Sequence, residues 1–283
     1  MAQPIRRKRT VKKNKPRFFG KWFLVVFSFF LLLIITIGIY KFRDGFLYYL
    51  GFKTDKYANE LSADERKLTD IRIYEVLHKH DNKAIGFDVS EYQSEIDWEQ
   101  TYHIDEAFEL SFVFIRSTAG KDKIDSKFKE NWKAAKERQL IRGAYHYYRP
   151  NENSIEQAEN FIKTVKLQKG DLPPVLDIEK LPKSQSIDSL KVGLRRWLNR
   201  IEKHYKVKPI IYSGESYYTD FLKEEFSEYP LWIANYNFWR NDLESDWQFW
   251  QFTEKAQIEG IKGMVDLNVF NGDKNKLLLK CIR

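Results

Sequence analysis

From Ile85 onward, short apolar runs with strand character alternate with amphipathic helical stretches, and this alternation restricts the chain to α/β architectures. The strand candidates are "IGFDVS" (85–90), "SFVFIRST" (111–118), "RGAYHYY" (142–148), "PPVLDIE" (173–179), "KPIIYSG" (208–214), "PLWIANY" (230–236), "WQFWQFT" (247–253) and "VDLNVF" (265–270). Helical patterns fall between the first six, as at Lys127 to Gln139, Ile155 to Leu167 and, the longest, Ser186 to Tyr205. After Tyr236 the gaps shorten and the helical pattern fades. Eight strands, the early ones joined by helices, predict a parallel α/β barrel whose last strands lack crossover helices. The alternative is an open doubly wound sheet, but no glycine-rich phosphate loop follows any strand.

Ahead of this region, "WFLVVFSFFLLLIITIGIY" (Trp22 to Tyr40) carries no charge. At the helical rise its nineteen residues span about 28 Å, close to the hydrocarbon thickness of a bilayer. Lys21 and Lys41 bracket it, with Trp22 and Tyr40 at the positions of interfacial aromatics. The run exceeds a signal-peptide core, and no small-residue cleavage site follows it. The expected topology is a single-pass helix in the inner (cytoplasmic) membrane, with the N-terminus cytoplasmic and the rest outside. Domains are accordingly expected as 1–21 basic cytoplasmic segment, 22–40 transmembrane helix, 41–81 membrane-proximal spacer and 82–283 barrel. Within the spacer, "FLYYLGF" (Phe46 to Phe52) is expected to lie at the membrane surface or to pack on the body, and Ser62 with Glu65 reads as a capping box. A chain starting near Asp81 is expected to fold alone.

The net charge is +8, but Arg6, Arg7, Lys8, Arg9, Lys12, Lys13, Lys15, Arg17 and Lys21 lie in the first 21 residues, with no acid among them. Removing those nine leaves −1, so the body lacks the basic footprint of a nucleic-acid binder. One cysteine, Cys281, excludes an internal disulfide and a redox pair. The five histidines are scattered, and only His78 and His80 are close, on a helix whose exposed face explains them. No zinc site and no cofactor is expected.

The chemistry concentrates at "LPPVLDIE" (172–179). Strand alternation sends Asp177 and Glu179 to one face and Ile178 to the other. Two adjacent acids repel, so stability alone does not select them. Barrel enzymes carry their chemistry at the carboxyl ends of strands. Asp88 near the end of the first strand, Asp177 and Glu179 at the fourth, and Asp266 in the eighth are therefore expected to converge on one mouth. Taken singly, Asp88 reads as a turn cap and Asp266 as a loop acceptor. Together on one rim they read as a site. Tyr92, Tyr145, Tyr147, Tyr148, Trp232, Tyr236, Trp247 and Trp250 add aromatic character, and alternation allows about half of them to line a cleft. Tyr92, Tyr145, Tyr147, Trp232, Tyr236 and Trp250 are the substrate-binding candidates. Aromatic faces beside paired acids suit a sugar polymer.

Seven segments in order, "GFDVSEYQSEIDW", "FVFIRSTAG", "NWKAAKERQLIRGAYHYYRP", "LPPVLDIE", "PLWIANY", "WQFWQF" and "GMVDLNVFNG", resemble glycoside hydrolase family 25, the muramidases, over roughly residues 85 to 272. The resemblance implies a flattened (β/α)5(β)3 barrel and cleavage of the β-1,4 bond between N-acetylmuramic acid and N-acetylglucosamine in peptidoglycan. By position it makes Glu179 the general acid, Asp177 the residue orienting the substrate's 2-acetamido group, and Asp88 and Asp266 supporting acids. Neighbouring carboxylates raise one another's pKa, which would favour a protonated Glu179. The implied partners are peptidoglycan glycan strands, and membrane lipid along residues 22–40.

Two segments depart from the family pattern. Ser94 and Glu95 stand where a glycine is common, and Ala119 stands between Thr118 and Gly120 where the family has glutamate. A peptidoglycan-binding module of weak catalytic power is the alternative from another class, and loss of one of the four acids would have favoured it. A chitinase-type barrel ranks below both, because Val175 occupies the position of that group's further aspartate.

Overall fold

The computed structural model describes residues 19–43, 45, 63–104 and 107–283. The basic residues through Arg17, the Phe46 to Phe52 stretch and Ser62 of the expected capping box lie outside them. The chain divides into two compact units, Met1–Leu47 and Tyr48–Arg283.

In the first unit, helix α1 (Phe19–Lys41) contains a stretch, Trp22–Lys41, of mean hydropathy 2.8 with none of it buried. By length and composition it is able to cross a membrane. Its low amphipathicity follows from apolar side chains on every face.

The second unit is a closed barrel. Its eight strands are β1 (Ile85–Val89), β3 (Phe108–Ala119), β5 (Ile141–Tyr147), β6 (Val175–Asp177), β7 (Ile210–Gly214), β8 (Leu231–Ala234), β9 (Trp247–Ala256) and β10 (Val265–Phe270). Two short strands, β2 (His103–Ile104) and β4 (Lys123–Ile124), pair with β3 outside the barrel circuit. Pairing is parallel from β1 through β9, whereas β10 runs antiparallel to both β9 and β1 and closes the ring. The expectation of a parallel barrel therefore fails at the last strand. Only eight residues separate β9 from β10, too few for a crossover but enough for a return.

Helices α3 (Phe128–Glu137), α4 (Ser154–Thr164) and α5 (Ile187–Tyr205) cover the strand connections, and a helical run from Glu215 to Phe226 links β7 to β8. The first connection differs from the expected helix. It holds a single 3₁₀ turn, Glu91–Gln93, because Ser90 and Gln93 cap each other across that one turn. Ser94 then takes φ 56°, which stops the helix and explains why glycine suits this position.

Side-chain alternation sorts the core into two clusters. Val113, Ile115, Ile178, Ile211, Ile233, Trp250 and Phe252 face the helices, while Phe112, Phe114, Val175, Ile210, Tyr212, Trp232 and Phe249 fill the barrel. Phe114 stacks on Trp232 at 4.3 Å, and Tyr212 meets the same indole edge-on at 4.5 Å. Gly143 leaves the room Phe114 needs, since a Cβ there would strike its ring. This aromatic plug closes the barrel below the cleft. Helix α2 (Ala63–Lys79), expected as part of the spacer, packs on the barrel body through Ile73, Val76 and Leu77, and Leu68 is buried as well.

Candidate active site

A cleft of about 420 Å³ opens at the carboxyl ends of the parallel strands. Asp88, Asp177, Glu179 and Asp266 all line it. Each arrives there for a local reason. Asp177 ends β6, and Glu179 follows one step on, the intervening Ile178 being fully buried on the helix side. Asp88 is the penultimate residue of β1, and Asp266 pairs with it directly because β10 runs the opposite way. An early position in an antiparallel strand thus reaches the same rim as a late position in a parallel one.

A chain of directed hydrogen bonds fixes Asp88. Its Oδ2 accepts from Gln251 Nε2 and Asn268 Nδ2, both at 2.8 Å. Gln251 Oε1 in turn accepts from the Tyr212 hydroxyl at 2.7 Å and from the Tyr236 hydroxyl. Trp232 Nε1 donates to Asn268 Oδ1 at 2.7 Å. Burial raises the Tyr212 and Tyr236 hydroxyls well above their usual range, so both remain neutral donors. Every amide in the network therefore points its N–H groups at Asp88.

Burial dominates the electrostatics. It lifts Asp88 to about 6, with the Asn268 and Gln251 bonds pulling the other way. Asp266 is raised well above the ordinary carboxylate range by burial and then by the charge of Asp88, with which it shares a hydrogen bond. Asp177 is raised similarly, by burial first and by the charge of Glu179 second, while Arg116 partly opposes the rise. Asp177 Oδ1 is buried without a hydrogen-bond partner. Glu179 is solvent-exposed. The Glu179 charge thus adds to the effect of burial at Asp177, the buried member of the pair.

The aromatic candidates divide. Tyr145, Trp232 and Tyr236 line the cleft, although Trp232 is only 2% exposed and forms its floor. Tyr147 is half-buried beside Lys180, and Tyr92 is 79% exposed on the 3₁₀ turn, with the Arg116 guanidinium 4.5 Å from its ring centre. Trp250 does not line the cleft. It is fully buried on the helix side, where its Nε1 donates to the Asn235 carbonyl at 2.9 Å. Along β9 it is Phe249 and Gln251 that face inward, so Trp250 must face out. Tyr148 and Trp247 are core residues as well.

Sequence reasoning missed Gln251, Tyr212, Tyr217 and a fifth lining acid, Glu254. Gln251 and Glu254 lie in or beside "WQFWQFT", where the polar residues among aromatics were the available signal. Arg116 was missed too. It is buried between Asp125, at 2.8 Å, and Glu91, at 3.0 Å. Among the described residues no group of three or more His, Cys, Asp or Glu side chains is arranged to hold a metal ion. The arrangement offers paired carboxyls of unequal burial, which is what proton donation beside charge stabilisation requires.

The family model for glycosyl hydrolases family 25 matches residues 87–261. The uncharacterized protein YegX of Escherichia coli K12 is 42% identical over 194 residues, covering 68% of this chain and 71% of that protein. Lysozyme M1 of Streptomyces globisporus is 32% identical over 208 residues, covering 68% and 69% respectively. The structure of a family 25 glycosyl hydrolase from Bacillus anthracis superposes with a TM-score of 0.63 at 30% identity, over 70% of this chain and 94% of that one.

Proposed function

Since the chain belongs to glycosyl hydrolases family 25 and is a glycoside hydrolase, we propose that it is a muramidase whose proton donor is Glu179. The bond cleaved is the β-1,4 linkage from N-acetylmuramic acid to N-acetylglucosamine. Asp177 orients the 2-acetamido group so that its carbonyl oxygen attacks the anomeric carbon, and Glu179 protonates the departing glycosidic oxygen. Asp88 and Asp266 support the site, and Tyr145, Tyr147 and Tyr236 contact the sugars.

The observation that carries this reading is the unequal burial of Asp177 and Glu179 in one cleft. In the free protein burial, reinforced by the charge of Glu179, favours the proton on Asp177. A substrate acetamido N–H donating to Asp177 stabilises its charged form and moves the proton to Glu179 at the open side. There it lies in line for the leaving oxygen. The unpartnered Asp177 Oδ1 is the natural acceptor for that N–H.

The test is mass spectrometry of purified peptidoglycan after digestion. Muramic acid at the new reducing end is the expected product, and intact glycan strands would replace the enzyme with a binding module. Helix α1 supports anchoring in the cytoplasmic membrane with the barrel outside. Fractionation with protease added from the outer side tests this, and recovery of a soluble form trimmed near residue 40 would refute it.

A further inference from the structure

Arg72 is wholly buried although it sits on α2, outside the barrel strands. Its guanidinium donates to three oxygens of one loop: Asn241 Oδ1 at 2.6 Å, the Asn237 carbonyl at 3.1 Å and the Arg240 carbonyl. Its Cζ also lies 5.6 Å from the centre of the Trp250 ring. The neighbouring residues reinforce the attachment. His80 Nε2 is 3.0 Å from the Asn241 carbonyl, and Lys79 pairs with Asp242 at 2.8 Å.

This loop joins β8 to β9, and its second residue, Tyr236, lines the cleft. Asn235 receives the Trp250 indole N–H on its carbonyl, and Tyr236 places its hydroxyl on Gln251, which bonds Asp88 at 2.8 Å. Burying a guanidinium is costly, and loop carbonyls offset that cost only while the loop holds a single conformation. An arginine at an exposed helix position needs none of this.

We propose that Arg72 is a positioning residue for the cleft: it holds residues 235–242 in the conformation that keeps Tyr236 on Gln251, and thereby orients Gln251 toward Asp88. The role rests on the proposed muramidase activity, and it extends the working enzyme to a helix that precedes the barrel strands in the chain.

The experiment uses the full chain in detergent, comparing Arg72→Met with the parent protein. Amides of residues 235–242 should exchange hydrogen at least about tenfold faster, with the β-strands unchanged. On peptidoglycan, kcat should fall about ten- to a hundredfold, with a smaller change in KM. The double variant Arg72→Met/Tyr236→Phe should be little worse than the poorer single variant, because both act on one contact. A general loss of stability would instead add to the Tyr236→Phe effect in full. Asn241→Ala removes the 2.6 Å acceptor while leaving α2 and Trp250 intact, and should reproduce the changes if Arg72→Met fails to fold. Unchanged exchange in the loop, retained kcat despite faster exchange, or full additivity would each overturn the proposal. A parent protein that leaves peptidoglycan intact would remove the proposed function instead, and loop exchange would then decide by itself whether Arg72 holds the loop.

Discussion

Asp88 and Asp266 stand directly opposite each other across the antiparallel β1–β10 ladder, Asp88 buried and Asp266 half-buried, and share a side-chain hydrogen bond. Like charges at such a cross-strand position are destabilising, so one of the two must keep a proton. Asp88 already accepts two amide N–H groups, which makes it the anion and Asp266 the donor. Asp266→Asn preserves a neutral donor opposite Asp88 and should fold with a melting temperature at neutral pH equal to or above that of the parent. A marked drop in calorimetry would place the proton elsewhere.

The same burial gives stability a pH dependence of definite sign. A carboxyl whose folded pKa lies above its unfolded value contributes most below the unfolded value, and the contribution is lost as pH rises through the folded one. For Asp88 that window runs from 3.8 to about 6, and Asp177 and Asp266 shift in the same direction. Glu91 has the opposite sign. The Ser126 backbone N–H, with further help from Lys123 and Arg116, holds it at about 2, so its contribution is lost as pH falls from 4.5 toward that value. The melting temperature should therefore rise as pH drops from about 6 to about 4, then decline below about 4. Asp88→Asn should flatten the first limb only, as scanning calorimetry across this range would show.

Glu179→Gln keeps the shape of the proposed acid but removes its transferable proton, and should lower turnover by about a hundredfold or more. Asp177→Asn should be severely impaired as well, because an amide cannot balance the positive charge that develops on the acetamido group. A substrate with an excellent leaving group separates the roles. It should restore the first step in Glu179→Gln but not in Asp177→Asn. Equal rescue of both would deny Asp177 a distinct part.

Ser94 carries φ 56° with ψ −131°, a backbone region natural to glycine alone. Ser94→Gly should release strain of about 1 kcal/mol or more and raise the melting temperature by a few degrees. The cleft residues lie elsewhere, so activity should be retained. A lower melting temperature would mean that the Ser94 side chain contributes more than its backbone costs.

Truncation tests where the folding unit begins. A chain starting near Asp81 loses α2 and uncovers the apolar surface that Leu68, Ile73, Val76 and Leu77 bury. Each such residue contributes about 1.5–3 kcal/mol when fully buried. The shortened protein should aggregate or melt well below one that begins before Ala63, in parallel thermal scans. Equal stability would return α2 to the role of spacer.

Local periodicity made much of this molecule legible. The two-residue repeat of a strand is a property of the backbone, so "LPPVLDIE" alone put Asp177 and Glu179 on one face and Ile178 in the core. The apolar length of Trp22 to Tyr40 likewise determined a helix able to cross a bilayer. Periodicity does not say which face looks inward. In "WQFWQFT" both alternate sets mix aromatics with polar groups, and only barrel closure turned Gln251 to the cleft and Trp250 to the helices. The meeting of Asp88 with Asp266 depends on the reversed direction of β10, a pairing between residues far apart in the chain. The grip of Arg72 on Asn241 likewise joins positions 169 residues apart. Contacts of this kind have no signature in any local window, because they exist only once the ring has closed.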